Sequence, residues 1–253
     1  MKPDDAHNDA AADRDAAAGD ILQRAAAASA SALTEQDGKT ILHQFGIRVP
    51  RNARVERQAS VDDLGEATQS LAPPFVLKAL STGVLHKSES GAVQLGLNDA
   101  AEVAAAIAAM QGRLDAHGLS AVGFLIEETA PAGTELIIGG QVDARYGPIL
   151  MVGLGGIFVE IFKDVAYRIC PIDRRDADEM LGSLQGAAVL DGVRGRPALD
   201  RPAVIDALLA VGGENGLFTR HSDRIAEFDI CLLYTSPSPR DISADRVCRL
   251  LRE

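Results

Sequence analysis

Phe75 to Val93 reads FVLKALSTGVLHKSESGAV: a lysine ends an apolar run, and a His-Lys-Ser triplet then leads into a glycine-containing turn. Lys78, His86, Lys87 and Ser88 together offer fixed positive charge, hydrogen-bond donors and a nitrogen nucleophile, which is what a phosphoryl group needs. The stretch reads as a phosphate-handling loop. Imidazole is neutral and nucleophilic near neutral pH, so His86 is suited to accept a phosphoryl group and pass it on. A lone histidine more often only hydrogen-bonds in a loop, and a lone Lys78 is more often a solvated strand-end lysine. The neighbours Lys87 and Ser88 tip the balance toward chemistry.

Three carboxylates flank a second turn. Glu127, Glu128 and Glu135 sit around Thr129 to Thr134, which contains Pro131 and Gly133. Carboxylates suit hydroxyl partners because they accept hydrogen bonds without needing a proton of their own; the plainer alternative is a set of exposed charges beside a turn. Gly153-Leu-Gly155-Gly156 follows. Successive glycines permit close approach and an anion-binding nest of amides, or only a strand-ending turn. No Gly-Lys-Ser or Gly-Lys-Thr comes after them, so a P-loop is not supported. Glu160 and Asp164 lie one turn apart if their segment is helical, a spacing for metal or phosphate geometry or simply for surface charge.

The elements that must position these groups alternate. Thr34 caps a helix containing Ile41, Leu42 and Phe45, and Gly46 ends it. Ile47 to Pro50 is extended, and Val61 to Leu71 is a helix that Pro73-Pro74 breaks. Phe75 to Leu80 and Gly91 to Leu97 are strands, and Ala100 to His117 is a helix capped by Asn98 or Asp99 and stopped by Gly118. Strands are expected over Val122 to Glu128, Glu135 to Asp143, Ile149 to Leu154 and Tyr167 to Ile172. Helices over Ala177 to Gln185 and Pro202 to Val211 precede a last strand, Ile225 to Ile230. The first thirty residues, rich in Ala and Asp, read as a disordered leader with too little apolar area to offset ordering entropy.

Composition sets outer limits. A chain of 253 residues with 47% hydrophobic content can bury a sizeable core in one large domain or two lobes. A formal charge of −11 argues against a duplex-binding surface, so no nucleic-acid partner is expected. Cys170, Cys231 and Cys248 show neither metal-ligand spacing nor an even count, which reads as a reducing cytoplasm. No run approaches the length of a membrane span.

Four segments in order, FVLKALSTGVLHKSESGAV, IEETAPAGTELIIGG, ILMVGLGGIFVEIFKDVAYRICPID and EFDI, resemble the ATP-grasp (beta) subunit of ADP-forming acyl-CoA synthetases, acetate–CoA ligases among them. The resemblance implies an α+β, two-lobed ATP-grasp fold closing on a nucleotide: a helix and first lobe over 31–128 and a second lobe over 129–230. It implies that His86 is a phosphate carrier, with ATP or ADP met by Lys78, Lys87, Ser88, Glu127, Glu128, Glu135, Gly155 and Gly156. Glu135 is favoured over Glu127 for the nucleotide. It also implies Mg2+, for which Glu160, from its spacing, and Asp229 are the candidate ligands in this chain, and a CoA-binding alpha subunit as partner in a hetero-oligomer.

After Glu227-Phe-Asp-Ile230 the chain departs from that pattern. The family places Asn-Pro and a further strand ending in an acid here, the Asn and the acid being the implied magnesium ligands; this chain has Cys231 and then LLYTSPSPRD. A thiol suits a hard, oxygen-seeking cation poorly. The segment resembles translated sequencing-adapter read-through, so residues 231–253 are expected to be non-native and this exact chain impaired in phosphoryl transfer. Continuous genomic coverage through the Cys231 codon would contradict that expectation.

Overall fold

The run that carries Lys78 is a strand in the structure, a computed structural model that describes residues 3–28, 30, 32–80, 91–130, 134–155, 164–192, 198, 200–235 and 242–251. Two units divide the chain: a smaller one, Pro50–Ala130, and a larger one made of Met1–Val49 with Pro131–Glu253.

The larger unit begins with α1 (Pro3–Ala27) and α2 (Glu35–Gln44). α1 stands where a disordered leader over 1–30 was expected. Alanine has the highest intrinsic helix propensity, and Ala18, Ile21 and Leu22 recur at helical spacing and are buried in the larger unit's core. The two large side chains supply the apolar area that the overall composition hides. Asp15 also ties the helix down: its Oδ2 lies 2.6 Å from Arg220 Nη2 and its Oδ1 3.1 Å from His221 Nε2, while Arg224 Nη1 donates to Gly19 O at 3.2 Å.

Burial of the His221 ring outweighs the pull of Asp15 and Asp223, and Arg224 and Arg220 add to the effect, so its pKa is lowered from 6.5. A histidine of this kind binds fewer protons folded than unfolded. Its contribution to stability is whole above the unfolded value and is lost as pH falls below it. Urea unfolding at about pH 7.5 and about pH 5.5 should show a smaller acid-induced loss for His221→Gln than for the unsubstituted chain; equal losses would remove His221 as the cause.

In α2 the Thr34 hydroxyl accepts from Asp37 N at 3.2 Å and donates to Asp37 Oδ2 at 2.6 Å, the cap its sequence suggests. Ile41, Leu42 and the following Ile47 join the larger unit's core. Residues 31–49 therefore belong with the larger unit and not with a lobe spanning 31–128, because their apolar face is spent there.

The smaller unit runs β1 (Asn52–Glu56), α3 (Val61–Gln69), β2 (Phe75–Leu80), β3 (Val93–Leu97), α4 (Ala100–Ala116) and β4 (Gly123–Glu128). Its antiparallel sheet has the order β1-β4-β2-β3. Val55, Phe75, Leu77, Leu97, Phe124 and Ile126 turn to one face, where Leu64 of α3 and Val103, Met110 and Leu114 of α4 cover them. Asp99, not Asn98, caps α4, with Oδ1 accepting from Glu102 N at 2.8 Å, and Gly118 follows the helix at φ +67. β1 was not anticipated, because only Val55 of its five residues is buried.

The larger unit continues with β5 (Thr134–Asp143), β6 (Gly147–Leu154), β7 (Val165–Ile169), α5 (Arg174–Gly182), α6 (Ala187–Leu190), α7 (Arg201–Gly212), α8 (Leu217–Arg220), β8 (Ile225–Thr235) and β9 (Ile242–Leu251). The sheet order is β7-β6-β5-β8-β9, all antiparallel. Leu136, Ile138, Leu150, Val152, Phe228 and Ile230 face the helices and form the core with Met180, Leu208 and Phe218. β7 ends before Pro171, which has no amide for a ladder, so the strand expected over 167–172 lies earlier. α5 also starts earlier than expected, because Asp173 and Asp176 form a reciprocal capping box. On β8, Ile230 faces Ile138 but Leu233 faces Leu136, a one-residue bulge just past Ile230.

Candidate functional site

Side chains alternate across a strand. Because Phe75, Leu77, Ala79, Phe124 and Ile126 belong to the smaller unit's core, Val76, Lys78, Leu80, Leu125 and Glu127 occupy the other face of that sheet. Val76 faces Glu127 and Lys78 faces Leu125, which makes Lys78 and Glu127 diagonal neighbours within reach of long side chains. Lys78 Nζ lies 2.6 Å from Glu127 Oε2, with the two side chains 2% and 0% exposed. The solvated-lysine alternative is thereby excluded. Glu128, one step on, turns to the helix-covered face. Its Oε1 accepts from Ala72 N at 2.8 Å and lies 3.4 Å from Arg51 Nη1, a task of tying strand ends together.

In the larger unit, Leu136 and Ile138 point to the core, so Glu135, Ile137 and Gly139 lie on the opposite face, where Asp229 of β8 faces Gly139. Gly155 N donates to Glu135 O at 2.7 Å, and a Cβ at Gly155 would come within 2.8 Å of Glu135 Cβ. This glycine therefore serves close approach to β5, and its amide is committed to the sheet and not to a nest. Asp164 is buried; its Oδ1 accepts from Gln185 N and its Oδ2 from Gly186 N, both at 2.8 Å. Asp164 thus clamps two successive backbone amides at the α5–α6 turn, while Glu160, its suggested partner for metal or phosphate, lies outside the described residues.

His86, Lys87, Ser88, Gly156 and Glu160 lie outside the described residues. Among those described, the structure brings Lys78 to Glu127 and Glu135 to Gly155, each pair within its own unit. No three His, Cys, Asp or Glu side chains among the described residues are grouped to hold a metal ion, so Asp229 alone does not make a Mg2+ site. Cys170 is buried, and burial pushes its thiol up to about 11, which leaves it unreactive.

Sequence reasoning missed a second buried ion pair, Lys39 Nζ to Glu35 Oε1 at 3.1 Å in α2. The signal was present: Glu35, Gly38, Lys39 and Leu42 follow the helical repeat of the buried stripe.

Two helix-backed antiparallel sheets, one carrying Lys78 and Glu127 and the other Glu135 and Asp229 on the face away from its core, define the class of protein. The chain belongs to the ATP-grasp domain family, whose model matches residues 24–237. It is 36% identical over 204 residues to the beta subunit of Pyrococcus furiosus acetate–CoA ligase [ADP-forming] I, which covers 79% of this chain and 85% of that subunit. It is likewise 36% identical over 178 residues, 69% of this chain, to acetate–CoA ligase [ADP-forming] I of Archaeoglobus fulgidus, but spans only 25% of that longer protein. Among solved structures it is similar to the dinucleotide-forming acetyl-coenzyme A synthetase 1 of Ca. Korarchaeum cryptofilum in complex with coenzyme A, Ca-AMPCP and HgCl+. The TM-score is 0.84 at 31% identity over 92% of this chain and 99% of that one. Another complex of that synthetase, with coenzyme A and Mg-AMPPCP, has its phosphohistidine segment pointing towards the nucleotide binding site; there the TM-score is 0.78 at 30% identity, over 93% of this chain and all of that one.

Proposed function

We propose that this chain is the nucleotide-binding module of an ADP-forming acyl-CoA synthetase. It moves a phosphoryl group between a histidine, His86, and ADP or ATP during acyl-CoA + ADP + phosphate = acid + ATP + CoA. The observation that carries the reading is the buried Lys78, a fixed cation on the sheet face opposite the smaller unit's helix-covered core, in a chain that matches most of a ligase beta subunit. Lys78, Lys87 and Ser88 take phosphate oxygens, and Glu135 accepts from ribose or adenine donors. Among the described residues no three His, Cys, Asp or Glu side chains gather to hold Mg2+.

CoA and the acyl group belong to a CoA-binding alpha subunit, with which the chain forms a hetero-oligomer in the cytoplasm. No helix among the described residues is long and apolar enough to cross a membrane. The test combines the chain with a CoA-binding partner, acyl-CoA, ADP and phosphate. ATP should form only when both polypeptides are present. Nucleotide binding with no phosphoryl transfer in either direction would instead indicate a regulatory nucleotide-binding subunit.

A further inference from the structure

We infer that Glu127 is a positioning residue for Lys78 and not a nucleotide ligand: it holds the lysine ammonium in the place where nucleotide phosphates are met. The inference rests on the nucleotide-binding reading above and departs from the expectation that Glu127 itself meets the nucleotide. Its basis is the pairing of β2 with β4. The two strands are in register from Phe75 opposite Glu128 to Leu80 opposite Gly123, and that register places Glu127 diagonal to Lys78 on one face. A separation of 2.6 Å between Lys78 Nζ and Glu127 Oε2 is a charge-assisted contact.

Both members are removed from water, with side chains 2% and 0% exposed. Separating two opposite charges in so dry a place is costly. The carboxylate is therefore committed to the ammonium. A lysine stem has four rotatable carbons and loses rotamer entropy whenever it is fixed for a ligand. An aspartate or glutamate anchored in a neighbouring strand fixes it beforehand, so the ordering does not weigh against nucleotide binding. An ammonium has three donors, and Glu127 engages it from one side of the sheet face. Charge gives the same answer: a bare carboxylate near a polyphosphate repels it, and an adjacent lysine neutralises that repulsion. Glu128 cannot substitute, since it lies on the other face with Ala72 and Arg51.

The experiment is a calorimetric titration of adenosine, AMP, ADP and ATP into the full chain and into Glu127→Gln, Lys78→Met and the double variant. If Glu127 acts through Lys78, Glu127→Gln weakens ADP and ATP by about tenfold or more and leaves adenosine unchanged, and the same change made on Lys78→Met costs nothing further. Glu127→Gln strands a buried ammonium and carries a folding risk. Glu127→Asp, which keeps the charge but withdraws it by one methylene, is the second variant and should show the same selective loss for ADP over adenosine. Equal weakening of adenosine and ADP, an effect that adds in full on the Lys78→Met background, or unchanged ADP binding would each overturn the positioning role. An unsubstituted chain that binds neither adenosine nor ADP would overturn the nucleotide reading itself, a result distinct from the other three.

Discussion

A chain carrying His86→Ala, incubated with ATP labelled on its terminal phosphate, is expected to retain no acid-labile label, a loss of at least about a thousandfold in transfer rate. The expectation follows from what the transfer requires. The nitrogen that attacks the phosphorus must be neutral, sterically open and flanked by cations that offset charge building on the equatorial oxygens. His86 is followed by Lys87 and Ser88, whereas the other histidines are differently placed. His7 lies in α1, His43 in the last turn of α2, His117 is the C-cap of α4, and His221 is buried against Asp15. His117→Ala is the matched control and should label normally. Label that survives His86→Ala at the unsubstituted level would move the phosphate carrier elsewhere and end the assignment.

Phe218→Ala should destabilise the larger unit by about 3–5 kcal/mol, because it deletes a fully buried ring and leaves a cavity that a sheet-and-helix core closes poorly. Phe218 is 0% exposed and meets Phe228 edge to face, with centroids 4.8 Å apart at 67°; such pairs add about 0.5–1.5 kcal/mol beyond area. The pair fits because β5 carries Gly140 there. A Cβ at that position would lie 2.8 Å from Phe218 Cε1 and 3.0 Å from Ile149 O, and would collide with Phe228 as well. Phe228 precedes Asp229, so loosening the rings disturbs the strand that carries a candidate carboxylate. Urea denaturation measures the effect. A change below about 1 kcal/mol would mean the core repacks around the missing ring.

Much of the fold was legible because its signals are local. The strand over Phe75–Leu80 and the helix from Ala100 to its glycine stop follow from apolar runs, capping residues and punctuation. α1 was hidden because its stripe of Ala18, Ile21 and Leu22 is diluted among alanines and aspartates, and β1 because a polar edge strand has one buried residue to announce it. The candidate site was legible as residue types and not as geometry. Nothing in the sequence says that Lys78 meets Glu127 or that Glu128 turns away. That depends on the register of β2 against β4, a long-range property that alternation alone does not fix. Asp164 is a similar case: its partners are backbone amides on the α5–α6 turn, which no side-chain pattern records.

The amide of Gly155 on Glu135 and the carboxylate of Asp164 on Gln185 and Gly186 act as two moorings for the chain between β6 and β7. Their partners are Glu135 on β5 and the backbone amides of Gln185 and Gly186 at the α5–α6 turn. β6 and β7 pair from Gly153 opposite Val165 to Ile149 opposite Ile169, so the two moorings sit directly beside the start of that ladder and fasten its ends to a neighbouring strand and to a helix turn.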